Sequence, residues 1–380
     1  MYKIPRGIIL LAVGVIAGAS LAIEATVAGT DAGGTARLPV WSLSTSPSVG
    51  SNGGLGSISC PTTTSCTGVG TAFPFGQPQE LIETATAGNW SLPPFSGLPA
   101  SQLHGVACTK KTCTAVGEVD LGGYPAASVP LVDTQSNGTW TAVSSPDPSN
   151  NQDYGVNSLL SISCPITTFC VAVGETFSRY EVPLIETLVN GAWSISSYSL
   201  NGANSGAGKL SGVSCTSATT CVAVGDYLGQ TLIEVLSAGT WSQSTAPSPG
   251  SASALTSVSC PTSTSCVAVG NYSPGSFQAT LIESLNSGTW TQATSLTPGL
   301  GAFLKGVSCH SAKACVAVGY SEDIVGGHPL IESLSSKGWS LTTPATISGT
   351  GELSGVSCKN AKDCVAVGQQ VGGPLIEGEG

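Results

Sequence analysis

The chain has 380 residues, of which 41% are hydrophobic and only 9% are charged, and its formal net charge at neutral pH is −10. So few basic side chains on an acidic chain argue against nucleic acid or an anionic membrane surface as a partner. Apolar residues show no sustained helical period, which excludes solenoids built from helix pairs. The 14 cysteines and seven tryptophans are informative, because all of them belong to one repeated pattern.

The N-terminal residues predict export. Lys3 and Arg6 precede an apolar run over residues 8–23, and small residues that suit a cleavage site follow. We interpret residues 1–28 as a signal peptide and residues 29–39, rich in Gly, Ala and Thr, as a flexible linker. An uncleaved N-terminal anchor is the alternative, and only then is a membrane a partner. The expected location is secreted or at the cell surface.

Residues 40–380 repeat one pattern seven times at a spacing of about 49 residues. Each copy has a strand of small residues that ends in Cys, a second Cys, typically Val-Ala-Val-Gly, a variable stretch, Leu-Ile-Glu and usually Gly-x-Trp. In the sixth copy these segments are 306–309, 315–319 and 329–332, followed by a strand that begins at Trp339. Four short strands in each repeat of this length are typical of a propeller blade.

The repeat is split between the two ends of the chain. Trp41 precedes the first Cys pair with no other strand before it, and the last copy ends shortly after Leu-Ile-Glu at Glu377. An N-terminal strand that pairs into the last blade would close a ring and leave no open edge. We therefore predict an all-β, seven-bladed β-propeller with four strands per blade, in which the strand of Trp41 closes the last blade. A β-solenoid or a two-sheet sandwich does not account for the split repeat.

The cysteines form seven pairs, each at the predicted junction of the first and second strands of a blade. Antiparallel neighbours at such a junction lie within bridging distance, and an exported protein meets an oxidising environment. We predict one disulfide in each blade. Zinc is the alternative, but the chain has only three histidines to complete the ligand sets, and we expect no metal or other cofactor. The pairs are Cys60/Cys66, Cys108/Cys113, Cys164/Cys170, Cys215/Cys221, Cys260/Cys266, Cys309/Cys315 and Cys358/Cys364.

The turn between the third and fourth strands resembles that of the bacterial Asp-box (BNR-type) propellers. Their motif is Ser-x-Asp-x-Gly-x-Thr-Trp; residues 284–290 read Ser-Leu-Asn-Ser-Gly-Thr-Trp here, one residue shorter and without the Asp. The chain is also similar to Cys-paired Ser-Val-Ser-Cys repeats of secreted actinobacterial proteins. The resemblance implies propeller architecture and an extracytoplasmic location. Asp-box sialidases bind a carboxylate with several arginines, and only Arg37 and Arg179 remain after residue 28.

A carboxylate follows Leu-Ile in nearly every copy. A residue that every blade has serves something that every blade needs, whereas an active site is needed once. We therefore predict a structural role, as acceptor of hydrogen bonds from the following turn. The series is Glu83, Asp133, Glu186, Glu234, Glu283, Glu332 and Glu377.

The long loops of blades two and three are the variable part of the repeat. They belong to the end of the ring opposite the disulfides, where loops can vary without disturbing the core. Their aromatic, amide and acidic side chains suit a sugar or a protein surface. The alternative is that they are merely tolerated insertions. The predicted binding residues are Asp120, Tyr124, Asn151, Asp153, Tyr154, Glu175, Arg179, Tyr180 and Glu181.

Motifs of several large enzyme classes are absent from the sequence. It has no Gly-x-Ser-x-Gly elbow, no His-Glu-x-x-His and no Gly-Lys-Ser/Thr phosphate loop, and we predict no catalytic residue. The predicted function is an exported extracellular binding or interaction module for a glycan or a protein, rather than an enzyme. A carbohydrate-active hydrolase or lyase is the alternative, because two loop carboxylates suffice for that chemistry. A structural cell-envelope protein is the third possibility.

Overall fold

The computed structural model describes residues 40–48, 52–94, 97–122, 127–148, 155–177, 181–196 and 207–379. The predicted signal peptide (1–28) and the predicted linker (29–39) lie outside these ranges. Apart from one short 3-10 helix, Pro74–Gly76, the regular structure of the described residues is β-strand. None of their helices is long and apolar enough to cross a membrane.

The strands form seven antiparallel sheets of four, as predicted. Blade one comprises β2 to β5, each following blade takes the next four strands, and blade seven comprises β26, β27, β28 and β1. The strands are β1 Trp41–Leu43, β2 Gly54–Thr62, β3 Ser65–Ala72, β4 Gln79–Thr86, β5 Asn89–Ser91, β6 Ser101–Cys108, β7 Cys113–Asp120, β8 Ser128–Ser136, β9 Thr139–Val143, β10 Val156–Ile166, β11 Phe169–Phe177, β12 Glu181–Val189, β13 Ala192–Ile195, β14 Gly208–Ser217, β15 Thr220–Tyr227, β16 Gln230–Ser237, β17 Thr240–Ser244, β18 Ser253–Thr262, β19 Ser265–Tyr272, β20 Ala279–Asn286, β21 Thr289–Ala293, β22 Gly301–Ser311, β23 Ala314–Glu322, β24 Gly327–Ser335, β25 Gly338–Thr342, β26 Gly351–Asn360, β27 Asp363–Gln370 and β28 Gly373–Glu379.

The N-terminal strand closes the ring. β1 pairs antiparallel with β28, with Trp41 opposite Glu379. Trp41 is 4% exposed and packs in one core with Leu353 and Leu375 of blade seven and Val318 of blade six. The innermost strands of neighbouring blades touch all the way round, including β26 with β2. The predicted closure of blade seven by the N-terminal strand is therefore confirmed.

The hydrophobic core consists of seven clusters, one between each pair of neighbouring blades. Between blades four and five, Val222 and Val224 pack against Leu255 and Cys266. Alternate residues of the second strand point to opposite neighbours, so both of its faces are buried. An inner-strand leucine recurs five residues before the first Cys and is at most 1% exposed in every blade: Leu55, Leu103, Leu159, Leu210, Leu255, Leu304 and Leu353.

Serine hydroxyls link each inner strand to the next. The serine before the first Cys accepts a hydrogen bond from the backbone N–H of the next blade's first Cys; Cys108 N lies 3.0 Å from Ser59 Oγ. Six of the seven contacts between neighbouring inner strands have this hydrogen bond. The exception is the contact between blades two and three, where Ala107 takes the place of the serine. The small residues of these inner strands are also required sterically, since a Cβ on Gly212 would lie 2.8 Å from Ser257 Cα.

One disulfide joins the first and second strands of every blade, as predicted. The two Cα atoms of each bridge are 4.0–4.2 Å apart, and the described residues include no free cysteine. The bonds are Cys60–Cys66, Cys108–Cys113, Cys164–Cys170, Cys215–Cys221, Cys260–Cys266, Cys309–Cys315 and Cys358–Cys364.

The two cysteines of a pair differ in burial. The first cysteine is only partly buried, whereas the second is at most 7% exposed because it stands on the second strand, both faces of which are covered by neighbouring blades. The second cysteines therefore belong to the hydrophobic core and not to an accessible site. They are Cys66, Cys113, Cys170, Cys221, Cys266, Cys315 and Cys364.

The turn between the third and fourth strands is a tight hairpin. In blade two it has positive φ at Asn137 (51°) and Gly138 (84°). This is the pattern of a two-residue type I′ turn, which favours Asn-Gly because both residues have left-handed backbone conformations. Such a turn accounts for a connection shorter than the Asp-box.

Candidate ligand-binding groove at the channel mouth

The propeller has two chemically different ends. The disulfide-linked hairpins and the Gly-x-Trp turns lie at one end, which we call the bridged face. The loops between second and third strands and the connectors between blades lie at the other, which we call the loop face. This distribution follows from the antiparallel strand order within each sheet. It agrees with the arrangement that the sequence predicts.

The recurring carboxylates do not reach either face. All seven are at most 1% exposed. In blade five, Glu283 is flanked on its strand by Leu281 and Leu285, which pack against blade four, so it lies between blades. Four of the carboxylates accept hydrogen bonds from the preceding connector: Ser46 Oγ to Glu83 at 2.7 Å, Ser145 Oγ to Glu186 at 2.6 Å, Ser295 Oγ to Glu332 at 3.1 Å and Ala345 N to Glu377 at 2.9 Å. The donors are therefore connector residues, not the following turn that the sequence suggested.

Burial makes these carboxyl groups weak acids. It raises the pKa to about 7 in Glu186, Glu234, Glu332 and Glu377. In Glu283 burial raises the pKa further, to about 8. Glu283 has no hydrogen-bond partner among the described residues, and Ala246 stands in its connector where the connector to blade six has Ser295. Four of the seven groups tie connectors to blades, and the burial of all seven argues against a ring of catalytic acids.

The central channel is lined by residues that differ from blade to blade. Each inner strand has a bulge directly after its buried leucine, where the strand pairing skips one residue. A bulge redirects a side chain, and here it adds one position per blade to the lining of a central cavity of about 200 Å³. The bulge residues are Gly56, His104, Leu160, Ser211, Thr256, Lys305 and Ser354.

A second set of variable positions surrounds the channel mouth on the loop face. In each blade the residue before the buried leucine pairs across the hairpin with the residue after the last Gly of the second strand. We call these two residues the mouth pair. The pairs are Gly54/Thr71, Gln102/Glu118, Ser158/Glu175, Lys209/Asp226, Ala254/Asn271, Phe303/Tyr320 and Glu352/Gln369. Only the sixth pair is aromatic, so blade six departs most from the others.

A cavity of about 450 Å³ lies on the loop face between blades six and seven. Tyr320 lines it and is stacked on Phe303, with ring centroids 4.8 Å apart. Burial and the charges of Glu352 and Glu322, which also line the cavity, raise the pKa of Tyr320. Its hydroxyl therefore remains a hydrogen-bond donor at neutral pH. A volume of this size is within the range of small-molecule sites.

A second cavity, of about 240 Å³, continues the first around the mouth towards blades one and two. Glu352 and Gln369 line both cavities, whereas Tyr320 lines only the first. Gln369 Nε2 donates a hydrogen bond to Glu352 Oε1 at 2.7 Å. The second cavity ends at Phe73 and His104. We call the two cavities together the mouth groove. It spans parts of four blades, which suits an extended ligand.

The structure places three of the nine residues predicted for binding. Tyr124, Asn151, Asp153, Tyr154, Arg179 and Tyr180 lie outside the described residues. The carboxylate of Asp120 is exposed and accepts a hydrogen bond from Gly122 N at 2.7 Å, which closes a local turn.

Glu175 and Glu181 do come together, on the loop face of blade three. Burial and a hydrogen bond to the Glu181 carboxyl raise the pKa of Glu175 to about 7. Lys209 Nζ of blade four lies 3.8 Å from Glu181 Oε1, a partner that sequence reasoning missed. Carboxyl groups that hydrogen-bond to each other are closer than the roughly 5 Å separation of a glycosidase pair. The nine-residue site stays a prediction.

Apolar side chains project from the loop face. Ile324 is 93% exposed and Val371 is 74% exposed, next to the larger cavity. Exposed residues at equivalent loops of other blades are Phe73, Leu121, Leu228 and Phe277. Within the described residues, no three His, Cys, Asp or Glu side chains are grouped so as to hold a metal ion. The loop face thus offers hydrogen-bonding groups rimmed by apolar ones.

The fold and disulfides define a class: a seven-bladed β-propeller stapled by one disulfide in each blade. No protein-family model matches the chain, and no curated protein matches it. The resemblance to Asp-box repeats therefore stays a prediction. Disulfides on this scale are typical of proteins in an oxidising, extracytoplasmic environment.

Solved structures share the fold at low identity. YCF48 from Cyanidioschyzon merolae is 12% identical with a TM-score of 0.52, over 89% of this chain and 98% of that chain. A GH74 xyloglucanase from Xanthomonas campestris is 11% identical with a TM-score of 0.58, over 89% of this chain but only 53% of that enzyme's chain. A protein of unknown function from Dyadobacter fermentans is 10% identical with a TM-score of 0.52, over 90% and 98%. At these identities the likeness is one of fold.

Proposed function

We propose that the protein is an exported binding module whose ligand occupies the mouth groove. The observation that carries this proposal is the pair of cavities that share Glu352 and Gln369. Their other lining residues differ from the equivalent residues of other blades, as expected for a site needed once in a repetitive scaffold. Export is supported by the N-terminal sequence around Lys3 and Arg6 and by the seven disulfides.

The chemistry of the larger cavity favours an uncharged, hydroxyl-rich ligand, that is, an oligosaccharide. Tyr320, Thr350 and Gln370 offer hydrogen-bond donors, whereas Glu322 and Glu352 are acceptors. A sugar hydroxyl donates and accepts at once, so it satisfies both kinds of group. An anionic ligand would meet the two carboxylates and be repelled. A protein ligand would instead use the exposed apolar residues of the loop face.

The test begins with a glycan array on the exported protein, followed by calorimetry on the best ligand. Tyr320→Phe and Gln370→Ala each remove one hydrogen-bonding group from the cavity, and we expect each to weaken binding about 5- to 20-fold. Tyr272→Phe is the matched control, because it removes a tyrosine hydroxyl from the loop-face end of a strand in blade five. Unchanged affinity in both groove variants would contradict the proposed groove.

Arg179→Ala and Tyr180→Ala form a separate arm, for the site that the sequence predicts on blades two and three. Loss of binding there, with the groove variants unaffected, would move the site to those loops. An array without any ligand would favour a protein partner or a structural role in the envelope.

A hydrolase is the second candidate. Glu322 and Glu352 belong to different blades, line the same cavity and both act on the pKa of Tyr320. Two carboxyl groups on a sugar-binding cavity are the minimum for glycoside hydrolysis. Incubation of array ligands with wild-type protein should release no smaller sugars if the protein only binds. Release that Glu322→Gln or Glu352→Gln abolishes would establish the enzyme instead.

A further inference from the structure

The bridged face holds most of the lysines of the described chain. Eight lysines lie among the described residues, and two of them, Lys209 and Lys305, belong to the mouth of the channel. The other six are exposed at the hairpin turns of the bridged face. They are Lys110, Lys111, Lys313, Lys337, Lys359 and Lys362. The lysines of the described residues are therefore distributed unequally between the two faces.

Local hydrogen bonds fix the backbone of these turns. In four of them the lysine N–H donates to a side-chain oxygen two residues earlier, which is the pattern of an Asx or Ser/Thr turn. The bonds are Lys111 N to Thr109 Oγ1 at 3.3 Å, Lys313 N to Ser311 Oγ at 3.4 Å, Lys337 N to Ser335 Oγ at 3.2 Å and Lys362 N to Asn360 Oδ1 at 2.9 Å. The backbone positions of these lysines are therefore well defined.

None of the six forms an ion pair within the described part of the chain. The two lysines of the channel mouth are engaged: Lys209 pairs with Glu181 at 3.8 Å, and Lys305 Nζ lies 5.7 Å from the ring centroid of Tyr320. The bridged-face ammonium groups are thus available to an external anion. Unpaired exposed lysines also aid solubility, but that purpose does not require them to gather on one face.

Four of the six belong to blades six and seven, next to a cavity. The cavity has a volume of about 300 Å³ and is lined by His310, Lys313, Asn360 and Glu379 among others. Lys337, Lys359 and Lys362 stand on the turns around it. We call these four lysines with His310 the lysine patch. Burial and the neighbouring charge of Asp363 raise the pKa of Glu379, which weakens its competing negative charge.

The negative net charge of the whole chain does not describe this face. Seven of the acidic residues of the chain are the recurring carboxylates, which are buried between blades. Most other acids of the described chain, such as Glu118, Glu322 and Glu352, lie at the loop face. Asp363 and Glu379 are the acids that stand with the six lysines at the described part of the bridged face, so lysines outnumber acids there, and the local charge governs the choice of a charged partner.

We propose that the lysine patch docks a linear polymer that carries repeated phosphate groups. The ammonium groups of lysine are compact point charges that suit phosphate oxygens. A bilayer is disfavoured because Val40 is the one large exposed apolar side chain at the bridged end of blades six and seven among the described residues, and a single valine offers little apolar area to insert. A nucleic acid is disfavoured because the described part of this surface exposes no Phe, Tyr or Trp on which bases would stack, and His310 is its one exposed ring. This site is independent of the mouth groove, which opens on the other face.

The test measures binding of fluorescent long-chain inorganic polyphosphate to the full-length exported protein. We expect binding that weakens roughly 50-fold between about 50 and 200 mM salt, the slope of about four neutralised phosphates. The quadruple variant Lys313→Gln, Lys337→Gln, Lys359→Gln, Lys362→Gln should bind at least about 10-fold more weakly. The double variant Lys209→Gln, Lys305→Gln on the loop face is the control and should bind as the wild type does.

Several outcomes would overturn the proposal. The first is that polyphosphate does not bind at about 50 mM salt. The second is that the loop-face control loses as much affinity for polyphosphate as the quadruple variant does. The third is that polygalacturonate, whose charges are carboxylates, binds as tightly as polyphosphate. Preference for single-stranded DNA or for vesicles of anionic lipid over polyphosphate would also overturn it. Unchanged melting temperatures will show that the variants are folded, because all four lysines are exposed. Glycan binding in the mouth groove should be the same in the quadruple variant as in the wild type.

Discussion

A carboxylic acid in an apolar interface is costly unless it is neutral or hydrogen-bonded, and this protein repeats that arrangement seven times. The blades form an internal mutational series. Where the connector supplies a serine, as Ser295 does for Glu332, the pKa of the acid is about 7. Where the connector has Ala246, the pKa of Glu283 is about 8. A connector hydroxyl lowers the pKa of the carboxyl group to which it donates, as Ser295 does for Glu332, because a donor favours the charged form.

Ala246→Ser should therefore stabilise the protein. The new hydroxyl would donate to Glu283, as its counterparts do in other blades, and lower the pKa of that carboxyl group. We expect the free energy of unfolding to rise by about 1 kcal/mol at pH 8.5 and by less at pH 5, where Glu283 is protonated in either variant. Thermal unfolding at both pH values measures this. Ser295→Ala is the reciprocal variant and should destabilise; the same sign for both variants would refute the explanation.

At the scale of elements, each blade depends on strands that are short but buried on both sides. The fourth strand is the least secured, and in blade seven it is only Trp41–Leu43. Beyond its ladder with β28, the segment is held by a hydrogen bond from Ser44 N to Ile376 O at 2.9 Å and by Ser46 Oγ on Glu83. Trp41 therefore links the N-terminal segment to a core shared by blades six and seven.

Removal of all residues through Ser44 should lower the melting temperature by about 5–10 °C, because it exposes β28 and empties the place of a buried tryptophan. Removal through Thr35 keeps Trp41 and is the control, with no expected effect. Differential scanning calorimetry of the two exported truncations makes the comparison. Equal melting temperatures would contradict the closure of blade seven by β1.

The architecture was readable from the sequence, whereas the groove was not. The strand order, the closure by Trp41 and the disulfides follow from the spacing of the repeat, since they are properties that all seven copies share. The mouth pairs are visible in the sequence as the positions that vary on either side of the recurring leucine and glycine. Which of them meet across two blades depends on the angle between sheets, so Tyr320 and Glu352 gave no signal in advance. Loop length directed attention to blades two and three instead.

At the scale of the whole molecule, the buried carboxyls couple stability to pH. Their folded-state pKa values lie above the ordinary value near 4.5, so the folded protein binds more protons than the unfolded chain between about pH 4.5 and 8. Stability from these groups is complete below that range and is lost as the pH rises through 7 to 8. Among the recurring carboxyls, those with a pKa of about 7 or 8 are Asp133, Glu186, Glu234, Glu283, Glu332 and Glu377, and Glu175 on the loop face has a pKa of about 7 as well.

We expect the melting temperature to be higher at pH 5 than at pH 8.5, by roughly 5 °C or more. Two acids with a lowered pKa, Glu118 and Asp323, act in the opposite direction but are fewer. A pH series of thermal unfolding in buffers of equal ionic strength measures the net effect. Glu283→Gln should flatten part of the slope. A melting temperature that rises from pH 5 to pH 8.5 would mean that the buried acids are ionised in the folded protein.

Serine and glycine alternate from blade to blade at one position of the inner strands. Three residues before the first Cys, blades one, three and five have Ser57, Ser161 and Ser257, and each accepts a hydrogen bond at 3.3 Å from a backbone N–H of the next blade. The blades that follow them have glycine, because a Cβ on Gly105, for example, would lie 2.9 Å from Ser161 Cα. Serine and glycine can alternate at this position without interruption only in a ring with an even number of blades. With seven members one joint must break the alternation, and it falls where Gly306 meets Gly355, between blades six and seven. Both the larger cavity of the mouth groove and the cavity of the lysine patch lie at that joint, so the odd number of blades puts the break in the alternation beside both proposed sites.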